Sequence, residues 1–408
     1  MGYKLNDLPK LSAQEQEHSQ KLIHVIQQNI AAAGGKIPFS EFMAACLYTP
    51  GLGYYSAGAT KFGQAGDFVT APEISILFGQ CLAEYFYKVK KQNFANQPLS
   101  IIELGAGTGK LAGDILTHLN KLDALPAHYY ILEVSADLKE KQQIYLKNTL
   151  PIYRNNITWL DSIENLPDFN GNALILANEV LDALPVELFS LKPKNPDGVE
   201  IYQEWITHNP DSSHPFERLT LPADENFQAA LRSAIDVSTF SFEAATYLSE
   251  INLNLFSWLS GIEKLIEKGH MIFIDYGFGS KEYYHPTRHM GTLMCHYKHR
   301  AHTDFLAHIG LQDITAHVNF TQIAMAAKQL GLTIDNFTTQ AEFLLSQNFA
   351  RLAEQKLLKA APAQKISMMN EIQLLTAPHE MGELCKVLIL QKGDLHSIAS
   401  GRPHFHRL

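Results

Sequence analysis

Between residues 12 and 33 the apolar side chains Leu22, Ile23, Ile26 and Ile30 fall at the spacing of one helix face, which predicts a polar-faced helix. Pro38 and Ser40 mark a further helix start; glycines then interrupt the periodicity until a helix over Ile74–Lys88. From Leu99 the pattern changes. Short aliphatic or aromatic runs at Leu99–Leu104, Tyr129–Val134, Ile157–Leu160, Ala173–Ala177 and Met271–Asp275 predict strands, and Lys386–Leu390 predicts a last one. Helical stretches at Lys110–Asn120, Asp137–Asn148 and Asn252–Lys268 lie between them. Strands separated by helices form βαβ units, so the expected class is α/β with a parallel sheet. Residues 199–222 break the rhythm as a two-stranded polar excursion, and 341–380 as mostly helical material. The expected organisation is a helical segment and glycine-rich cover over 1–95, then a main domain over 96–392. That domain carries insertions at about 191–250 and 341–380, and a tail over 393–408 follows.

Composition narrows the function. With 46% hydrophobic and 18% charged residues, a chain of 408 buries an ordinary core. A net charge of −9 leaves no excess of basic surface, so no nucleic-acid partner is expected. No apolar stretch reaches the roughly 18 residues a bilayer span requires, so no membrane insertion is expected. Cys46, Cys81, Cys295 and Cys385 are far apart and form no CxxC pair, which fits reduced thiols. The first residues show neither a hydrophobic signal core nor an Arg-rich transit pattern, and the location expected on these grounds is cytoplasmic. No oligomeric state is assigned.

The chemistry concentrates in "SIIELGAGTGKLAGDIL", Ser100–Leu116. A Walker A loop needs four residues before Gly-Lys and then Ser or Thr; here three separate Gly105 from Gly109, and Leu111 follows Lys110. The dinucleotide fingerprint would need glycine where Lys110 stands. What remains is E-x-G-x-G-x-G at a strand–helix junction. Gly105 allows a sharp turn, and Gly107 and Gly109 remove β-carbons where a ligand meets backbone. Glu103 would repel a pyrophosphate but suits a cationic aminoacyl group, which points to S-adenosylmethionine with its ammonium and sulfonium. Glu133 ends the second strand and can accept both ribose hydroxyls; Asp161 follows the third and is placed to meet the adenine amino group. Singly, each is an ordinary strand-end acid. Together they occupy successive carboxyl ends of one sheet, where open α/β sheets bind ligands.

The fourth strand runs into "LILANEVLDALPVE". Asn178, Glu179 and Asp182 emerge beside the expected cofactor, and two carboxylates so close favour a cationic target such as a guanidinium fork. The Asp/Asn-Pro-Pro-aromatic run of nucleobase amino methyltransferases is missing here. Alternatively, Asn178 caps a short helix with Glu179 in its first turn.

The chain resembles the MidA-type S-adenosylmethionine-dependent methyltransferases, a family that includes the mitochondrial arginine methyltransferase needed to assemble respiratory complex I. The likeness runs from about Pro38 to about Lys392, through "GDFVTAPEIS", "ELGAGTGKLAGDIL", "LEVS", "NEVLDALPVELF", "IDYGFG", "GTLMCHYKHR" and "MGELCKVLIL". Ala106 and Thr108 stand where the family often has Pro and Arg, and Asn319 where it often has Asp. The resemblance implies a class I, Rossmann-like methyltransferase sheet of seven strands and S-adenosylmethionine as methyl donor. It also implies a protein substrate, arginine in the named relative, with a respiratory-chain subunit as the expected partner. It makes the segment from Gly63 through Gly66, Asp67, Phe68, Thr70, Pro72 and Glu73 a cover over the cofactor. Asp67 and Thr70 then offer polar contacts and Phe68 an apolar wall, with Tyr54 and Tyr55 nearby; the alternative is a helix-capping loop.

Other features attract plainer readings. His296, His299 and His302 at i, i+3, i+6 would drift around a helix, and with Cys295 they complete no ligand set, so no metal is expected. Asp275 and Tyr276 end the fifth strand, lining the pocket or simply closing the strand. His317 reads as a structural histidine. Two rival functions stay open: a cofactor-binding assembly factor that clamps a partner through 341–380 without turnover, and a nucleotide-dependent oxidoreductase, which the loop spacing disfavours.

Overall fold

The computed structural model describes residues 8–57, 70–194, 198–210, 214–237 and 240–408. Its central sheet has seven main strands: β1 (Ser100–Leu104), β2 (Tyr129–Leu132), β3 (Ile157–Leu160), β4 (Asn172–Asn178), β5 (Lys268–Phe278), β6 (Thr333–Thr339) and β7 (Cys385–Lys392). Their order is β6-β7-β5-β4-β1-β2-β3, and the two-residue strand Val318–Asn319 pairs alongside β5. Strands β1 to β5 pair in parallel, while β7 runs antiparallel to both β5 and β6. The α/β class and the seven-stranded sheet expected from sequence are both present. The pleat explains the continuous apolar runs, because each strand is covered on both faces. Ile101, Leu174, Leu176, Ile272 and Ile274 pack on one face, with the helices Ile76–Asn93 and Lys110–Lys121. Their neighbours Ile102, Ala173, Ile175, Met271 and Phe273 pack on the other, against Leu255–Glu263 and Phe320–Gln329.

Several boundaries differ from the expectation for identifiable reasons. The first helix, Ala13–Ala32, is set by a capping box in which Ser12 and Glu15 satisfy each other's backbone N–H. The helix expected over Ile74–Lys88 is broken at Ser75, whose extended backbone ends Ala71–Ile74 and whose hydroxyl accepts from Leu77 N to start Ile76–Asn93. The helix expected over Asn252–Lys268 covers only Leu255–Glu263. Asn252 accepts the N–H of Asn254 in an Asx turn, and Lys268 already belongs to β5. Strand β6, "TIDNFTT", was absent from the expectation because its polar residues and a bulge between Ile334 and Asn336 hide the alternation.

The excursion at 199–222 is two antiparallel strands, Val199–His208 and Phe216–Pro222, within a five-stranded sheet. Glu187–Pro193 and Tyr247–Ile251 complete it together with Lys36–Pro38 from near the amino terminus. A third sheet joins Met294–Tyr297, Arg300–His302 and Asp313–Thr315. Residues 341–380 are mostly helical, within Gln340–Ser346, Phe349–Lys359 and Pro362–Thr376.

Leu176, fully buried in the middle of β4, tests the core directly. Leu176→Ala is expected to cost about 2–5 kcal/mol in denaturant unfolding, the range for a buried leucine that leaves a cavity.

Candidate functional site

A cavity of about 640 Å³ lies at the carboxyl ends of the parallel strands, where loops from β1, β2 and β4 converge. Its floor on one side is the glycine loop. Gly105, Gly107 and Gly109 all have positive φ, so the loop takes left-handed turns that β-carbons would strain. Gly105 and Gly107 line the cavity, and a β-carbon built on Gly107 meets no atom within 4 Å. Gly109 does not line it. It begins the helix Lys110–Lys121, and a β-carbon there would press on Gln142 at 3.2 Å.

Gln142 went unnoticed in the sequence, yet it organises this half of the site. It is fully buried on the helix Ala136–Thr149. Its amide nitrogen donates to Gly107 O and to Glu133 Oε2, each at 2.9 Å, while its oxygen accepts from the Trp159 indole at 2.9 Å. Glu133 is further fixed by the backbone N–H of Ser135 at 2.9 Å. Glu103 is buried with Tyr129 O–H donating to it at 2.9 Å. Burial, assisted by the nearby Glu133 charge, pushes its carboxyl up to about 7.

Thr70 and Glu73 of the expected cover line the cavity, and Glu73 accepts the Thr108 hydroxyl at 2.5 Å, tying the segment to the glycine loop. Gly63, Gly66, Asp67 and Phe68 lie outside the described residues. Asp161 is displaced from its expected place. It sits beyond the edge strand β3, where Lys139 draws its carboxylate outward at 2.7 Å and leaves it 69% exposed, away from the cavity lining. Val134 and Leu138 line the cavity beside Glu133 instead, with Val134 60% exposed as an apolar surface.

The other half of the cavity is acidic. Glu179 has φ +51, a left-handed conformation that is uncommon for a side-chain-bearing residue and marks functional sites. Its Oε1 accepts from Ala71 N and from the Asn178 amide, both at 3.3 Å. Burial, then the neighbouring Asp182, raises its carboxyl to about 8. Burial raises Asp182 as well, reinforced by Asp275 and Asp313. The helix-capping alternative for Asn178 and Glu179 is not what the turn shows. Its N–H groups at Val180, Leu181 and Asp182 donate to Asp275 Oδ2 at 3.2, 2.9 and 3.2 Å, so the acid on the adjacent strand holds the turn. Asp275 is thus a buried pin, and Tyr276 lines the cavity.

Asp313, buried and missed in the sequence, also lines the cavity. The histidines behave differently from the helical expectation. His296 lies on the strand Met294–Tyr297 and lines the cavity, while His299 turns into the strand Arg300–His302. His317, expected to be structural, also lines the cavity, stacked on Phe278; burial lowers it to about 4, so it stays neutral. Among the described residues no group of three or more His, Cys, Asp or Glu has metal-binding geometry.

These residues fit S-adenosylmethionine. Glu103 is a buried carboxylate with a neutral partner, suited to an ammonium; Glu133 is an oriented pair of acceptors, suited to vicinal hydroxyls; Val134 is an apolar face, suited to a purine. The strand order, the single antiparallel strand β7 and a cavity at the carboxyl edge lined by the glycine loop and Glu133 together define a class I methyltransferase. A profile of the S-adenosyl-L-methionine-dependent methyltransferase family matches residues 81–338, and the chain belongs to that family. The enzyme therefore uses S-adenosylmethionine as its methyl donor.

A COG1565 superfamily member from Burkholderia thailandensis, bound to S-adenosyl-homocysteine, superposes with a TM-score of 0.85 at 35% identity. The match covers 98% of this chain and 100% of that one. The mitochondrial protein arginine methyltransferase NDUFAF7 homolog of Drosophila melanogaster is 28% identical over 95% of this chain and 88% of its own length. Its Homo sapiens counterpart is 26% identical over 86% and 78%. Both are mitochondrial proteins, which overturns the cytoplasmic expectation. Scattered reduced thiols and a negative net charge suit the mitochondrial matrix as well as the cytosol, so composition does not separate the two compartments.

Gln142→Leu keeps the helix but removes both donors. SAM affinity is expected to fall about tenfold or more by calorimetry, with a stability loss of about 1–3 kcal/mol from the stranded acceptors. Stability also depends on pH through Glu103 and Glu179, whose folded values near 7 and 8 exceed the ordinary carboxylate range. The folded chain holds protons that the unfolded chain releases, so unfolding free energy should fall as pH rises from about 5 to 8. Glu179→Gln should flatten that slope in urea titrations.

Proposed function

We propose that this enzyme transfers the methyl group of S-adenosylmethionine to an arginine guanidinium on a partner protein, and that the partner is a respiratory-chain protein. The observation that carries the reading is the convergence of Glu179 and Asp182 on the cavity shared with the glycine loop. Burial raises both carboxyls, and a guanidinium between them would offset that cost. The names of the fly and human relatives support the same acceptor, and the complex I assembly family resembled by the sequence supports the partner.

When bound, the cofactor supplies a methyl group already activated on a sulfonium. The chain's own residues have to hold, align and keep water out. Glu103 would take the cofactor's ammonium and Glu133 its ribose hydroxyls, with Gly105 and Gly107 allowing close backbone approach. Thr70 would add a polar contact from the cover, and Asp161, held outward by Lys139, is left out of this assignment. On the acceptor side, no side chain can deprotonate a guanidinium beforehand, because its pKa exceeds 12. Glu179 and Asp182 would instead orient the fork and draw its charge away from the attacking nitrogen. One of them then takes the proton as the new bond forms, and Asn178 keeps Glu179 in place. A lysine acceptor must be neutral, and these acids would raise its pKa, which works against it.

Glu179→Gln and Asp182→Asn retain shape and remove charge. SAM affinity should stay within about twofold, and methyl transfer should fall by about two orders of magnitude, the scale of a positioned electrostatic or acid–base group. Unchanged turnover in both variants, measured with labelled SAM, would end the acceptor assignment.

A further inference from the structure

Tyr48 and Tyr55 line the same cavity, at and just beyond the end of the helix Phe39–Tyr48. Their rings stack with centroids 5.7 Å apart and planes 21° from parallel. Both hydroxyls are committed as donors: Tyr48 to the Ala183 carbonyl and Tyr55 to Asp313 Oδ1, each at 2.9 Å. With their protons spent, what these residues chiefly offer a ligand is ring surface. Asp313 opens the strand Asp313–Thr315, and its Oδ1 accepts the Tyr55 hydroxyl. A further bond, Ala316 N to Asp182 O at 2.9 Å, ties the residue just after that strand to the turn carrying the acids. Three separate stretches of chain are therefore bonded together around one corner: the amino-terminal segment, the turn after β4 and the third sheet.

That corner combines a flat aromatic wall with a carboxylate anchored through one oxygen, beside a second carboxylate. A guanidinium is planar, stacks on aromatic faces and pairs through a rigid fork. An ammonium is a compact, strongly hydrated point charge with no planar fork to pair and no flat face to stack. We propose that Asp313, held by Tyr55 and flanked by the Tyr48–Tyr55 stack, is the positioning and selectivity element of the acceptor subsite, admitting a planar guanidinium in preference to an ammonium. The proposal rests on the acceptor reading above and names the residues that choose the acceptor, rather than those that take part in the transfer.

The test uses the full chain, tritiated SAM and a mitochondrial protein extract, with labelled proteins hydrolysed to amino acids. Tyr55→Phe keeps the ring and removes only the hydroxyl that donates to Asp313; Asp313→Asn keeps the shape and removes the charge. The extract concentration giving half-maximal transfer is expected to rise about tenfold in each, the scale of one charge-assisted hydrogen bond. Maximal transfer and SAM affinity should stay within about twofold, a split that general destabilisation would not produce. Should Asp313→Asn lose SAM affinity through misfolding, Tyr55→Phe alone decides. Half-saturation unchanged from wild type, or a fall in the maximum alone, overturns the proposal while methylarginine in the wild-type hydrolysate leaves the acceptor reading intact. Label on lysine in the wild type overturns both.

Discussion

Everything in the site follows from burying carboxylates at the mouth of a parallel sheet with, among the described residues, no Lys or Arg lining the cavity beside them. Glu103 on one side and Glu179 and Asp182 on the other are all raised first by burial. Such groups are costly to bury without an opposite charge. Their burial is relieved when a positive ligand arrives, and the two halves of a methyl transfer to arginine both bring one. The cofactor carries an ammonium and a sulfonium, and the acceptor carries a guanidinium. One cavity serves both because β1, β2 and β4 end side by side.

Two buried residues keep these acids in place. Gln142 links the glycine loop, Glu133 and Trp159 through a single amide, so the cofactor half is held as a unit. Asp275 gathers the N–H groups of the turn after β4 and so supports the left-handed conformation of Glu179. Between them, the short segment Thr70–Ile74 touches both halves: Glu73 meets Thr108, and Ala71 N meets Glu179. Cofactor and acceptor regions therefore share a common bracket.

The sequence disclosed those parts of the fold that have local signatures. Apolar runs located β1 to β5 and β7, because strands covered on both faces must be apolar throughout. It missed β6, where polar residues and a bulge conceal the alternation, and it missed the pairing of Lys36–Pro38 with Val199–His208, which no local pattern can encode. In the site, Glu103, Glu133, Glu179 and Asp182 were legible as acids leaving strands. Gln142 was not, since a glutamine in a polar helix looks solvent-facing until its partners are known. Asp313 sits in a short polar strand far along the chain, and only the third sheet brings it to the cavity. Asp161 matched the expected spacing but lost its place to Lys139, an ion pair that spacing alone does not reveal.

The central claim is that these carboxylates hold protons until a cation displaces them, and the cofactor half tests it without knowledge of the acceptor. Calorimetric titration of the protein with SAM at pH 6.5, repeated in buffers of different ionisation enthalpy, counts the protons exchanged on binding. With Glu103 near 7 before the cofactor binds, binding at pH 6.5 should release between about half and three-quarters of a proton, and Glu103→Gln should abolish most of that release. Identical binding heats in every buffer for the wild-type protein would contradict the account.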